Sequence, residues 1–212
     1  MGMYGGVPLP IPLPSITCSD VQIVLSQLSG NVTLTLHCPG DLIQPSLWTD
    51  RYTCIAYQMC YLGLLIQSIS QKDQSQANDL MTQMTNVANE LLSLPPAQPG
   101  EPVLHEYFNA LVDYVNMAYN VLNTYVSNIL NTSLSSIPNS LDLITAVSTL
   151  TKKKTMDLMT AHDWNTVTKA LQSIDQILSY IKQTILIPNM VGHVSIPIIT
   201  ITTTMSTSAG VE

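Results

Sequence analysis

Along most of the middle of the chain, apolar positions recur at alternating steps of four and three residues. Ile55, Met59, Leu62, Ile66 and Ile69 form one such series, and after a polar break Ala77, Leu80, Met84, Val87, Leu91 and Leu94 form another. This is the a/d spacing of helices that pack side by side. Ser46 to Leu94 contains no proline and a single glycine, Gly63, so the pattern predicts one long helix, or two joined near Ser68 to Ser75. The breaker-rich stretch from Leu94 to Pro102 ends it. Leu104, Phe108, Leu111, Val115, Ala118, Leu122, Tyr125 and Ile129 then repeat the step without a fault. A turn around Pro138 leads to a shorter helix with Leu141, Ile144, Val147 and Leu150 inward. A last helix, capped near Thr160 or Asp163, places Trp164, Val167, Leu171, Ile174, Leu178, Ile181 and Ile185 on one side and stops at Pro188.

The flanks follow other rules. Pro8, Pro10, Pro12 and Pro14 hold residues 1–15 near the polyproline II conformation and block both helix and ladder, which predicts an extended arm. Ser19-Asp20 is suited to cap a short helix carrying Val21, Val24, Leu25 and Leu28, and Val32 to Leu36 alternates at period two, as a strand does. At the other end Val194 to Thr204 is β-branched and neutral, with Ile196, Ile198, Ile199 and Ile201 as its apolar members. It is expected to extend and to pair with residues 32–36 or with another chain, a neighbouring subunit being the favoured holder of both arms. The fold class read from these patterns is mainly α: a four-helix-type bundle with heptad seams over residues 41–188, preceded by an arm, short helix and strand in residues 1–40 and followed by an extended arm in residues 189–212.

Composition sharpens this picture. Lys and Arg number 7 against 14 Asp and Glu, a formal charge of −7, and charged residues are only 10% of the chain, well under the quarter usual for soluble domains. Ser, Thr, Asn and Gln make up 68 of the 212 residues. The polarity is therefore almost wholly neutral. With 46% hydrophobic residues a core is amply supplied, and wholesale disorder is excluded. An acidic balance with one arginine, Arg51, argues against wrapping nucleic acid, whose phosphates need Lys and Arg. The longest nearly apolar run, Cys54 to Ile66, is too short to cross a bilayer and contains Gln58. Without a basic N-terminal region, and with proline alternating where an apolar helix belongs, no secretory signal is expected; Gly6 stands where a myristoylation site needs Ser or Thr.

The helix over 103–132 carries the sharpest clue to function. Beside its seam it holds Tyr107, Val112, Tyr114, Tyr119, Val121, Val126 and Leu130, so apolar side chains cover far more than the usual third of the circumference. What remains is a stripe of Asn109, Asp113, Asn116, Asn120, Asn123, Ser127 and Asn131. A water-facing stripe normally draws on Glu, Lys and Arg, whereas Asn is a poor helix former. This face is expected to meet other protein through neutral hydrogen bonds. Asn109, Asn116, Asn120 and Asn123, with the four arm prolines and the four isoleucines of the C-terminal arm, are the candidate assembly interface.

Other chemistry is thinner. Cys18, Cys38, Cys54 and Cys60 lack zinc-ligand spacing; buried thiols are the leading expectation, with a disulfide from Cys18 or Cys38 to Cys54 or Cys60 as the alternative. His37, His105, His162 and His193 accompany no nucleophile elbow, phosphate loop or paired-metal motif. No catalytic residue, metal or cofactor is expected. Lys152, Lys153 and Lys154 form the only basic cluster, a candidate anion contact for nucleic acid or a lipid head group, though three lysines more often mark a solvated corner. Asn31-Val-Thr33 and Asn131-Thr-Ser133 match the glycosylation pattern, as chance alone provides in so Asn-rich a chain.

The layout of arm (Val7 to Pro14), bundle (seams between 55 and 185) and arm (Val194 to Thr204) resembles the coat and other virion-forming subunits of viruses, and looks most like those of archaeal viruses. The resemblance implies a structural, self-assembling protein located in the virion, with copies of itself or other coat chains as partners. A charge of −7 departs from coat proteins that wrap the genome and suits an outer shell or a layer lining an envelope. Two other classes compete: a peripheral membrane or lipid-binding bundle, pointed to by the Cys54 to Ile66 run, and a small enzyme using Cys or His in the bundle core, whose sign would be a polar pocket holding two of the histidines.

Overall fold

A computed structural model of the chain describes residues 31–36, 45–94, 104–183 and 200–205. The proline arm with Pro8, Pro10, Pro12 and Pro14, the helix expected after Ser19, and Ile196, Ile198 and Ile199 lie outside the described residues. The described part is mainly α-helical. In chain order it holds strand β1 (Asn31–Leu36), helices α1 (Pro45–Ser70), α2 (Gln74–Ser93), α3 (His105–Asn128), α4 (Leu141–Thr149) and α5 (Ala161–Ile181), and strand β2 (Thr200–Met205), with a 3-10 turn at Leu134–Ser136 before α4.

The boundaries have local causes. Pro45 opens α1, where its missing N–H leaves no intrahelical bond unmade. The segment from 46 to 94 is two helices, because Asp73 caps α2: its side chain accepts from the Gln76 N–H at 3.0 Å, while the Lys72 and Asp73 N–H groups donate back to the Ile69 carbonyl. Thr160 and Asp163 form a reciprocal capping box at the start of α5. Asn131 and Asn139, at φ 53° and 63°, turn the chain on either side of the 3-10 turn in the left-handed region that Asn tolerates better than most residues.

The core forms where helix faces meet. Ile55, Met59, Leu62, Ile66 and Ile69 of α1 are buried, as are Phe108, Leu111, Val115, Ala118, Leu122 and Tyr125 of α3 and Trp164, Val167, Leu171, Ile174, Leu178 and Ile181 of α5. α3 carries fourteen buried residues, which is where its wide apolar surface goes. Two expectations fail at the edges. Leu104 precedes α3 and is 46% exposed, and in α4 Leu141 is 72% exposed while Leu143 and Ala146 are buried; Ile144, Val147 and Leu150 pack partly buried against the core, as their spacing places them. α4 is only nine residues long and is pinned at its start by the bond from Ser173 Oγ to the Asn139 carbonyl, so that anchor sets its rotation.

β1 and β2 pair in parallel, with Asn31 opposite Thr200 and Val32 opposite Ile201. β1 packs on α1 and α5, and Leu34 is fully buried. The backbone of Ile201 is thus partnered within its own chain, a correction to the favoured expectation that a neighbouring subunit holds this stretch. The physical reason is that β1 already lies on the helices and offers an unpaired edge, which the C-terminal segment fills. Among the described residues no helix is long and apolar enough to cross a membrane.

Candidate functional site

Among the described residues, a polar seam runs through the core. On α1, Arg51, Cys54, Gln58 and Tyr61 lie three and four residues apart and so share one face; on α5 and its end, Thr168, Asp175 and Lys182 are seven apart and do the same. Contacts run in the same order on both helices, Arg51 to Thr168, Gln58 to Leu171 and Tyr61 to Lys182, so α1 and α5 run parallel.

At the first level Arg51, the only arginine, is fully buried. Its Nη2 donates to Thr168 Oγ1 at 2.6 Å, and its guanidinium lies 5.2 Å from the centroid of the Trp164 ring. Such a weakly hydrated planar cation is the one suited to this stacking. Trp164 meets Phe108 edge to face at 5.7 Å. At the second level the fully buried Gln58 bridges three helices: Nε2 donates to the Leu171 carbonyl at 2.7 Å, and Oε1 accepts from the Tyr114 hydroxyl at 2.8 Å. Both halves of the amide are satisfied, as burial requires.

The third level opens into a cavity of about 70 Å³ lined by Tyr57, Tyr61, Asp175, Leu178, Ser179, Lys182 and Gln183. The Tyr57 hydroxyl donates to that of Tyr61 at 3.3 Å, the two rings meeting at 67°, and Lys182 Nζ donates to Tyr61 Oη at 3.3 Å. Burial lifts the Asp175 carboxyl to about 6 and lowers the Lys182 ammonium, because both charged forms lose water. Burial, then the hydroxyl and charge of Tyr57, also raise the Tyr61 phenol.

Cys54 is a buried free thiol, held well above its ordinary range first by burial and then by the charge of Asp175, with Arg51 opposing. It stays protonated at neutral pH and is no nucleophile. Cys60 is disulfide-bonded, against the leading expectation of buried thiols throughout. Lying six residues from Cys54, it faces a different side of α1. His105 stands beside Glu106 at 3.2 Å on the first turn of α3, and His162 is exposed at the start of α5; His37 and His193 lie outside the described residues. Among the described residues, the seam brings no histidine to the cavity. Among the described residues no cluster of His, Cys, Asp and Glu is arranged to hold a metal ion.

The residues proposed from sequence for contact with partners sit elsewhere, and several are occupied. Asn109 uses its whole amide on this chain, Nδ2 donating to the Lys153 carbonyl at 2.8 Å and Oδ1 accepting from the Lys153 N–H at 2.7 Å. Asn120 donates to Gln83 Oε1 at 2.9 Å. The stripe on α3 is thus partly a tie to α2 and to the connection before α5; Asn109 and Asn116 are half-buried and Asn123 is exposed. The lysine tract is partly engaged within the chain. Lys152 pairs with Asp113, while Lys153 pairs with Asp163 at 3.0 Å and lies 5.9 Å from the Phe108 ring centroid, so only Lys154 keeps an ammonium with no ion pair among the described residues. Sequence reading missed the seam because Arg51 and Gln58 look like isolated polar residues; their seven-residue spacing, matched by Thr168, Asp175 and Lys182, was the available signal.

Comparison with protein-family models, with curated proteins and with solved structures finds no match for this chain.

Proposed function

We propose that this protein is a structural subunit that assembles with copies of itself, as the shell or coat of a virion, with its long helices forming a four-helix bundle along the heptad seams. The observation that carries the reading is the outer face of α2. Asn78, Asp79, Met81, Thr82, Gln83, Asn86 and Asn89 are exposed there, one charge in seven, and α2 has no basic residue at all. Water-facing helices gain solubility and helix propensity from Lys, Glu and Arg. A face of amides, hydroxyls and a methionine suits a neutral protein contact, where charges would be costly to desolvate. The seam fits the same reading, since a hydrogen-bonded core fixes helix register and gives each copy one shape. A disulfide at Cys60 suits a particle that meets an oxidising exterior.

Because β2 is paired at home, the neutral helix faces carry more of the proposed assembly than the C-terminal arm does. Electron microscopy of the purified full chain, beside a variant lacking residues 1–15, tests the reading. Regular particles or filaments are expected from the full chain, and a helical, dispersed protein from the truncation. A full chain that pellets with lipid vesicles and never self-assembles would transfer the proposal to a peripheral membrane protein.

A further inference from the structure

The connection between α4 and α5 ends in a tight turn, Lys154-Thr155-Met156-Asp157. The Asp157 N–H donates to the Lys154 carbonyl at 2.9 Å, and the Asp157 carboxylate accepts from the Lys154 N–H at 2.6 Å. Met156, third in the turn, has φ 75°, where such turns normally place Gly or Asn. It is 97% exposed, and Leu158 is 79% exposed. A methionine at positive φ that is almost wholly exposed, beside an exposed leucine, contributes to neither core nor solubility, and backbone outliers of this kind cluster at sites of use. The charges around it point inward, with Lys152 on Asp113, Lys153 on Asp163 and Asp157 on the backbone. The turn therefore presents an apolar knob with one cation, Lys154, which favours a protein acceptor over an anionic lipid surface that would call on all three lysines.

A matching hollow lies at the other end of α5. The cavity of about 70 Å³ is walled by Tyr57, Tyr61 and Leu178; Lys182 also lines it, its ammonium donating to Tyr61 Oη, while the carboxylate of Asp175 has no ion pair among the described residues. Tyrosine edges suit a thioether, and a carboxylate suits a lysine. The turn precedes Ala161 and the cavity centres near residue 179, roughly 27 Å along the helix at 1.5 Å per residue. One molecule's turn is thus far from its own cavity.

We infer that the Met156 turn of one copy seats in the Tyr57–Tyr61 cavity of the next, with Lys154 meeting Asp175. Knob and hollow at opposite ends of one helix make a head-to-tail contact, which repeats into a ring or a filament rather than stopping at a two-fold dimer. The inference rests on the self-assembly reading and names its contact.

Two full-length variants test it, Met156→Glu, which spoils the knob, and Ser179→Trp, which fills the hollow. By light scattering each alone is expected to stay monomeric at concentrations where the unaltered chain assembles, with its helical circular dichroism unchanged. Mixed, they retain one good knob and one good hollow and should form a 1:1 dimer. Asp175→Asn, a milder change to the hollow, should raise the concentration needed for assembly about tenfold. Met156→Gly should raise the thermal midpoint by relieving the turn while weakening assembly. Assembly of Met156→Glu at the unaltered chain's concentration, or a mixture that yields no dimer, overturns the contact and leaves the self-assembly reading standing. An unaltered chain that never leaves the monomer defeats that reading itself.

Discussion

Gln58 illustrates how much one buried polar side chain holds. It joins α1 to the α5 backbone and to Tyr114 on α3 with no exposure to water. Gln58→Leu should therefore cost about 1 to 3 kcal/mol, chiefly because the Tyr114 hydroxyl is left buried without an acceptor. Adding Tyr114→Phe should recover part of that loss, and chemical denaturation of the two singles and the double reads the coupling directly. Asp175 gives a pH signature of opposite sense to most carboxylates. Its folded value of about 6 lies above the ordinary 3.8, so between those pH values the folded chain keeps a proton that the unfolded chain has released. Stability contributed at low pH is lost as pH rises through about 6. In the dispersed chain, Asp175→Asn should be more stable than the unaltered protein by on the order of 1 to 2 kcal/mol at pH 7 and equal to it near pH 4, a fraction of the full linkage because the group keeps some water. Denaturation midpoints at four pH values check it. Neither role is legible from a single residue type: Gln58 reads as a blemish in an apolar run, and only its partner 56 residues away in α3 explains it.

Helices were the most readable elements, because burial along α1, α3 and α5 imposes a period that survives in the sequence. Ile55 to Ile69 and Trp164 to Ile181 are buried where the spacing places them. α4 was legible in part: Ile144, Val147 and Leu150 pack against the core as their spacing places them, but Leu141 is exposed while Leu143 and Ala146 are buried, since nine residues are too few to establish a phase. The asparagine stripe of α3 was legible as unusual but not as to its partner, since the spacing of Asn109 carries no trace of Lys153, 44 residues on. α2 offers the test proper to this scale. Thr82→Glu with Asn86→Lys places an acid four residues before a base on the exposed face, which should leave the fold intact and raise stability by about 0.2 to 0.5 kcal/mol. The same pair should reduce assembly, because two charges then require desolvation at the contact. Thermal denaturation and light scattering on one sample separate the two effects, and a variant that assembles unchanged removes α2 from the interface.

At the scale of the whole molecule, several of the few charges among the described residues are engaged within the chain. Arg51 is buried on Trp164, Lys152 and Lys153 are paired with Asp113 and Asp163, and the Lys72 ammonium donates to the Asn128 carbonyl at the end of α3. Exposed charges such as Asp79, Asp142 and Lys169 are sparse among neutral side chains, with Leu141, Met156 and Leu158 also standing in water. Under the proposed assembly, sparsely charged faces such as the outer side of α2 would be covered by neighbouring copies, since colloidal stability of a dispersed chain comes from well-distributed charge. The most direct measurement is the mass of the purified full-length protein by multi-angle light scattering across a concentration series at neutral pH and moderate salt. Growth from the 23.2 kDa chain to large, concentration-dependent species is the predicted result; a mass that stays at 23.2 kDa at every concentration would contradict the account.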